Sequence, residues 1–182
     1  MQETPEQYKS RILGYVLDKK PLQVQAATPA KLERLIKGVP RARLRKRPQP
    51  GKWAPGEILA HLADAEIVGG FRMRFILGAP GSPIAAYDQD KWAEAEDYPK
   101  RDPQMSLRVF KTLREANLNL LKSLRPEQWK HFGIHSERGE ETIERIVHMF
   151  AGHDLNHLRQ MEAILAPKMK EPRRRGRRAH RR

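Results

Sequence analysis

Hydrophobic residues recur along this chain in steps of three and four, which aligns them on one face of an α-helix, and no segment shows sustained strand-like alternation. Gly and Pro clusters cut the pattern into blocks. The first opens at Thr4-Pro5, an N-cap followed by proline at the first helical position, with Gln7 placed to complete a capping box; it is predicted to run to about Leu17. A second start of the same type, Thr28-Pro29, leads through Leu32, Leu35 and Ile36 to Gly38. After a basic, Pro-rich connection (VPRARLRKRPQPGKW), a long helix is predicted from Pro55 to about Leu77, with an inward stripe of Ile58, His61, Ala65, Val68, Arg72 and Phe75. Two more follow. One spans roughly Gln104 to Leu124 on Leu107, Phe110, Leu113, Asn117 and Leu121. The other spans Glu141 to Leu165 on Ile143, Ile146, Phe150, His153, His157, Met161 and Ile164. Amphipathic helices without strands predict an all-α protein, a four-helix bundle.

Three histidines interrupt those apolar stripes. His153 and His157 lie four apart in GHDLNHLRQ and share one helix face, so both rings can reach a common atom. His61, in EILAHLADAE, supplies a third imidazole from a neighbouring helix. A lone histidine on an apolar face is more often a core residue with a satisfied ring. Here all three occupy stripe positions at compatible heights, where Leu or Met would pack better, and buried imidazoles need hydrogen bonds or a metal. The expectation is a three-nitrogen metal site with open coordination positions, the mark of a reactive ion. Zinc, nickel or iron would each suit imidazole ligands.

The same residues constrain topology. His61 lies six residues after Pro55, and His157 about eight before the end of its helix. Those levels coincide only if the two helices run antiparallel. Segment 78–103 is too long for a tight helical hairpin and would carry the chain back along the bundle, past the metal end. An up-down-down-up bundle is expected.

Charge and composition change the picture in two places. The formal charge is +14 over 182 residues, but residues 168–182 (KMKEPRRRGRRAHRR) hold nine Lys or Arg against the single acid Glu171. The domain is therefore expected to occupy residues 1–167, with 168–182 a basic tail outside the fold. The tail suits non-specific contact with nucleic acid or an anionic surface. It has no interleaved aromatics to stack on bases, so a merely solubilising tail is the stronger reading. The absence of cysteine excludes disulfides, thiolate zinc sites and a cysteine nucleophile. No apolar leader or membrane-length run is present, so a soluble cytoplasmic protein is expected.

Four segments in order, GKWAPGEILAHLADAE (51–66), YDQDKWAEA (87–95), HSERGEETIERIV (135–147) and AGHDLNHLRQ (151–160), make the chain resemble the DinB-like metalloprotein superfamily over roughly residues 6–166. The resemblance implies a DinB/YfiT-like up-down-down-up bundle, often dimeric, with His61, His153 and His157 as ligands to a divalent metal. It also implies low-molecular-weight thiol transfer, or a related thiol-linked reaction, as one activity of the family. Because the chain has no cysteine, such a thiol would be a cosubstrate.

Other candidates are less determined. Asp154, directly after His153, stands where HExxH proteases place their general base; a helix-packing aspartate fits equally. Arg72 could bind an anionic substrate, though an ion pair with Glu66 is the stronger reading. Tyr87, Asp88 and Trp92 on the returning segment are expected at the pocket mouth. Trp53 is expected to act as a hydrophobic staple, and Trp129 to lie in the core. His131 and His135 flank Gly133 in a predicted loop, where His135 could overhang the site but a solvated position is favoured. His148 is rotated off the ligand face, and His180 belongs to the tail. Three functions remain open: a metal-dependent transferase or hydrolase of small molecules, a non-catalytic nucleic-acid binder using the tail, and a protease. The last ranks lowest, since HDLNH lacks the glutamate of HExxH.

Overall fold

The computed structural model describes residues 3–167; the basic tail, with His180, lies outside the described residues. Seven helices are present among them: α1 (Pro5–Gly14), α2 (Pro21–Ile36), α3 (Arg41–Leu44), α4 (Pro55–Gly78), α5 (Gln89–Ala95), α6 (Pro103–Lys122) and α7 (Ile143–Leu165). The capping box at Thr4 and Gln7 forms as expected, with Gln7 N–H donating to Thr4 Oγ1 at 3.2 Å and Thr4 N–H to Gln7 Oε1 at 2.9 Å. At the start of α4, Glu57 reaches back to accept from Ala54 N at 2.8 Å and also holds Arg47.

Helices α2, α4, α6 and α7 form the bundle, and two apolar clusters fix their directions. One gathers Leu32 and Ile36 of α2, Ile58 and Leu59 of α4, Leu107 and Phe110 of α6, and Leu158 and Met161 of α7. The other gathers Leu22, Met73 and Ile76, Leu121, and Ile143 and Ile146 from the same four helices. Thus α4 and α6 run from the first cluster to the second, while α2 and α7 run back. The order is up-down-down-up. Between the clusters lies a buried polar layer: Gln25, His61, Glu66, Arg114, Asn117, Asp154 and His157. No described helix is long and apolar enough to cross a membrane.

The second helix begins eight residues earlier than the Thr28-Pro29 signal suggested. Proline at position 29 has no N–H, so the carbonyl of Gln25 loses its helical donor. Arg114 replaces it, donating from Nη1 to Gln25 O at 2.9 Å. Thr28, instead of capping a new helix, donates from Oγ1 to Val24 O at 2.9 Å. Tertiary contacts from α6 thus carry α2 through a residue that would normally end it.

Strands, which the pattern did not predict, are the other departure. A small sheet of order β1-β2-β3 joins β1 (Pro83–Ile84), parallel to β2 (Phe132–His135), with β3 (Gly139–Thr142) antiparallel to β2. Each strand is too short to show alternation. Gly133, read as a loop signal, is instead buried in β2: a Cβ there would lie 3.0 Å from Ile76 and 3.1 Å from Ile84. His135 is accordingly buried in a strand rather than solvated in a loop, at 1% exposure. Phe75, assigned to the inward stripe of α4, is 41% exposed, because α4 is buried on nearly every face in its first half and only partly in its second. Trp129 packs half-buried against the second cluster.

Helix α1 closes the outside of the bundle across α7. The contact is close because Gly152 has no side chain: a Cβ at that position would fall 2.1 Å from Ile12 O. Arg11 of α1 then donates to Asn156 Oδ1 of α7 at 2.6 Å. This docking covers the helix face beside His153 and His157.

Candidate metal centre

His61 comes from the second turn of α4, and His153 and His157 from successive turns of α7. The antiparallel crossing brings their rings together. His61 Nε2 lies 2.8 Å from His153 Nε2, and His157 Nε2 lies 3.1 Å from the same atom. One ligand atom from each of the three lies within 4.8 Å of the others, making the trio a candidate site for a divalent ion.

The proton arithmetic of this cluster favours a cation. His157 Nδ1 faces Gln160 Oε1 at 3.0 Å and so carries the proton, leaving a lone pair on Nε2. His153 Nε2 then faces that lone pair on one side and His61 Nε2 on the other. A single proton cannot satisfy both contacts between neutral rings. Three nitrogens bound at about 2.0–2.1 Å around a tetrahedral ion would sit about 3.3 Å apart, close to what is seen. Burial, with His157 nearby, holds His61 well below the usual histidine range. Burial and the neighbouring imidazoles, with Arg114 beyond, do the same for His153. Burial also pushes His157 down to about 4, against the opposing hydrogen bond to Gln160. All three rings are therefore neutral near pH 7, the state a metal requires.

The surroundings are apolar and aromatic. Trp53 packs on His61 with centroids 4.9 Å apart and on Tyr98 at 6.1 Å, so the residue expected as a helix staple forms a wall of the histidine cluster. Tyr98 in turn donates to Asp64 Oδ2 at 2.5 Å. His61 Nδ1 is buried without a hydrogen-bond partner.

A cavity of about 210 Å³ opens onto His153, lined also by Ile12, Val68, Phe150, Arg72, Tyr87, Arg138 and Glu141. Of the residues expected near the site, Arg72 and Tyr87 share this cavity with His153. Arg72 donates to Ala85 O at 2.5 Å and makes no ion pair with Glu66, which is held by Arg114 at 2.8 Å and Asn117 at 3.0 Å. Tyr87 packs on Trp92 with centroids 5.0 Å apart, and both line a second, outer groove with Asp88. Asp88 caps α5, its Oδ1 accepting from Asp90 N at 3.0 Å and Lys91 N at 3.1 Å. Asp154 faces the bundle interior at 1% exposure, both of its oxygens held by Arg114. His148 turns to its own backbone, Nδ1 lying 2.9 Å from Glu144 O.

Three contributors were not singled out from periodicity. Gln160 orients His157 and stands one turn after it, a spacing that could have marked it. Arg138 and Glu141 pair on the β2–β3 hairpin and reach the cavity through a turn that leaves no periodic signal.

Comparison with known proteins agrees with this bundle fold. The sequence pattern of the DinB superfamily matches residues 26–161. A candidate metal-dependent hydrolase of Bacillus subtilis, YfiT, is 27% identical over 75% of this chain and 78% of its own length. Another, from Halalkalibacterium halodurans, is 24% identical over 75% of this chain and 80% of its own. The solved structure of YfiT, described as an unusual four-helix bundle topology, superposes with a TM-score of 0.74 at 23% identity, covering 90% of this chain and 88% of that one. The mycothiol-dependent maleylpyruvate isomerase superposes at 0.63 with 13% identity, covering 82% of this chain and 62% of that one. With its bundle topology and histidine trio in the matched region, the chain belongs to the DinB superfamily.

Proposed function

We propose that this protein is a metal-dependent enzyme acting on a small molecule, with His61, His153 and His157 as the ligands of one divalent ion. The observation carrying this reading is the convergence of three Nε2 atoms beside a cavity that His153 itself lines. Three neutral imidazoles leave an ion its full charge and open positions, so when bound it would supply Lewis acidity and lower the pKa of a water or thiol at neutral pH. The reaction class is transfer to such a nucleophile: hydrolysis if it is water, S-transfer if it is a cosubstrate thiol. The family's curated members named as candidate hydrolases support the first, and the mycothiol-dependent neighbour supports the second.

The protein's own residues have distinct parts in this reading. Gln160 fixes the tautomer of His157, and Trp53 and Phe150 keep water from the cluster walls. Asp154 is a positioning residue, since a carboxylate held at both oxygens by Arg114 is poorly placed to take a proton. The stacked, outward-facing Phe71 and Phe75 on α4 support a homodimer, and the cysteine-free composition supports a cytoplasmic setting. Elemental analysis of tag-free protein tests the central claim. About one zinc, nickel or iron per chain is expected, and none in His157→Ala; protein that neither retains nor takes up a divalent ion overturns it.

A further inference from the structure

Arg72 is a buried cation without an anion. It is 7% exposed, and among the described residues no carboxylate pairs with it. Of the acids near it, Glu66 is held by Arg114 and Asn117, and Glu141 by Arg138, which grips both its oxygens at 2.7 and 2.8 Å; exposed Glu137 also lines the cavity but forms no ion pair with Arg72. Tyr87 offers only its ring face, 5.8 Å from the guanidinium carbon. Burying an unpaired charge is costly, so the arrangement calls for an external partner.

A second buried group is also unanswered. His135, 1% exposed, accepts from Glu137 N at its Nδ1 at 3.1 Å. Its proton therefore sits on Nε2, which is buried and has no acceptor. Burial first, then the charges of Arg138 and Arg72, lowers the pKa of this ring below the usual histidine range, which preserves its neutral N–H. One unpaired cation thus stands at the end of the cavity away from the histidine trio, and one unpaired neutral donor is buried in β2.

We propose that this end of the cavity binds the carboxylate of the substrate, and that the substrate is a small molecule with an anionic tail and a head group directed at His61, His153 and His157. The charge argument selects a carboxylate over a phosphate dianion: Arg138 is neutralised by Glu141 and exposed Glu137 lines the same cavity, so no more than the single charge of Arg72 remains to be matched. Size agrees. At about 210 Å³ the cavity is smaller than the roughly 300 Å³ from which drug-sized sites begin. Arg72 lies eleven residues beyond His61 on α4, about 16 Å along the axis, and its side chain leans back toward the helix start. The remaining gap is on the order of a six-carbon chain.

The inference rests on the metal reading only for the head group, and the test separates the two. Binding of hexanoate and of 1-hexanol to metal-free protein is compared by ligand-observed NMR. Hexanoate is expected to bind at least ten-fold more tightly, the preference vanishing in Arg72→Gln and surviving in part in Arg72→Lys. Cobalt-loaded protein is then titrated with 6-mercaptohexanoate and 6-mercaptohexanol, read by the thiolate-to-cobalt absorption band, and the same preference is expected. Equal binding of acid and alcohol in the unsubstituted protein overturns the proposal and leaves the metal site untouched. A hexanoate preference in protein that takes up no cobalt upholds the anion site and overturns the metal reading instead.

Discussion

Arg114 holds both carboxylate oxygens of Asp154, at 2.5 and 2.9 Å, with each residue about 1% exposed. The same guanidinium reaches Glu66 and the carbonyl of Gln25, so one side chain from α6 ties together α2, α4 and α7. Truncating one partner of such a buried pair typically costs about 3–5 kcal/mol, because the other charge is left in place without compensation. Asp154→Asn is therefore expected to lower stability by a few kcal/mol in urea denaturation while the protein still binds one metal ion per chain. A general base would behave in the opposite way. Its amide variant would keep the wild-type unfolding midpoint and lose turnover alone.

Gln160 accepts from His157 Nδ1 and so decides which nitrogen of that ring faces the other two histidines. Losing such an outer partner commonly lowers metal affinity about 10- to 100-fold. Gln160→Leu is expected to weaken cobalt or zinc binding by that factor in a competitive chelator titration, with Gln160→Glu retaining most of it. Unchanged affinity in the leucine variant would show that packing alone holds the ring.

Acid should destabilise the metal-free protein through its buried histidines. The unfolded His157 takes up a proton near pH 6.5, whereas the folded ring resists until about 4. As pH falls through that window the unfolded state alone gains the proton, so stability declines; above pH 6.5 both states are neutral and the effect is absent. His61 and His153, also held low by burial, add in the same direction. His157 alone accounts for about 3 kcal/mol between pH 6.5 and 4. Urea midpoints measured across this range should fall for the metal-free protein and flatten in His157→Gln.

Gly152 allows the backbone of α1 to lie against α7 next to two of the histidines. A methyl at that position meets Ile12 O at 2.1 Å, a backbone atom that cannot swing aside. Gly152→Ala is expected to displace α1 and cost about 1–3 kcal/mol, as overpacking does, despite the better helix propensity of alanine. Hydrogen exchange should quicken in residues 5–14 far more than in α4 or α6. Uniform loss of protection would instead mean that α1 is not a separable layer.

How much of this was legible in the sequence depended on periodicity. The stripes of α4, α6 and α7 are long enough for the 3.6-residue spacing to show, and they carried both the bundle and the histidine trio. The polar layer was not readable in the same way. Arg114 sits one residue after Leu113 on the predicted stripe, and nothing local signals that three helices converge on it. The hairpin that brings Arg138 and Glu141 to the cavity consists of strands of four residues each, too short for a period of two to emerge. His135 looked like a loop residue because Gly133 was taken as punctuation, when its lack of a side chain serves close packing on Ile76 and Ile84. Contacts between distant segments, which sequence spacing does not encode, decided each of these positions.

Pro29 and Arg114 give the most direct test of that tertiary control. The proline removes the N–H that would answer Gln25 O, and Arg114 supplies the missing donor. Alanine at position 29 restores a backbone donor to that carbonyl and makes one arginine contact redundant. The two substitutions should therefore couple: Arg114→Met is expected to cost less in a Pro29→Ala background than alone, by about 1 kcal/mol, the net worth of one hydrogen bond. The remainder of the Arg114→Met penalty, set by Asp154 and Glu66, should persist in both backgrounds. Strict additivity in the double-mutant cycle would mean that the arginine acts through the two carboxylates alone and that α2 tolerates the proline without help.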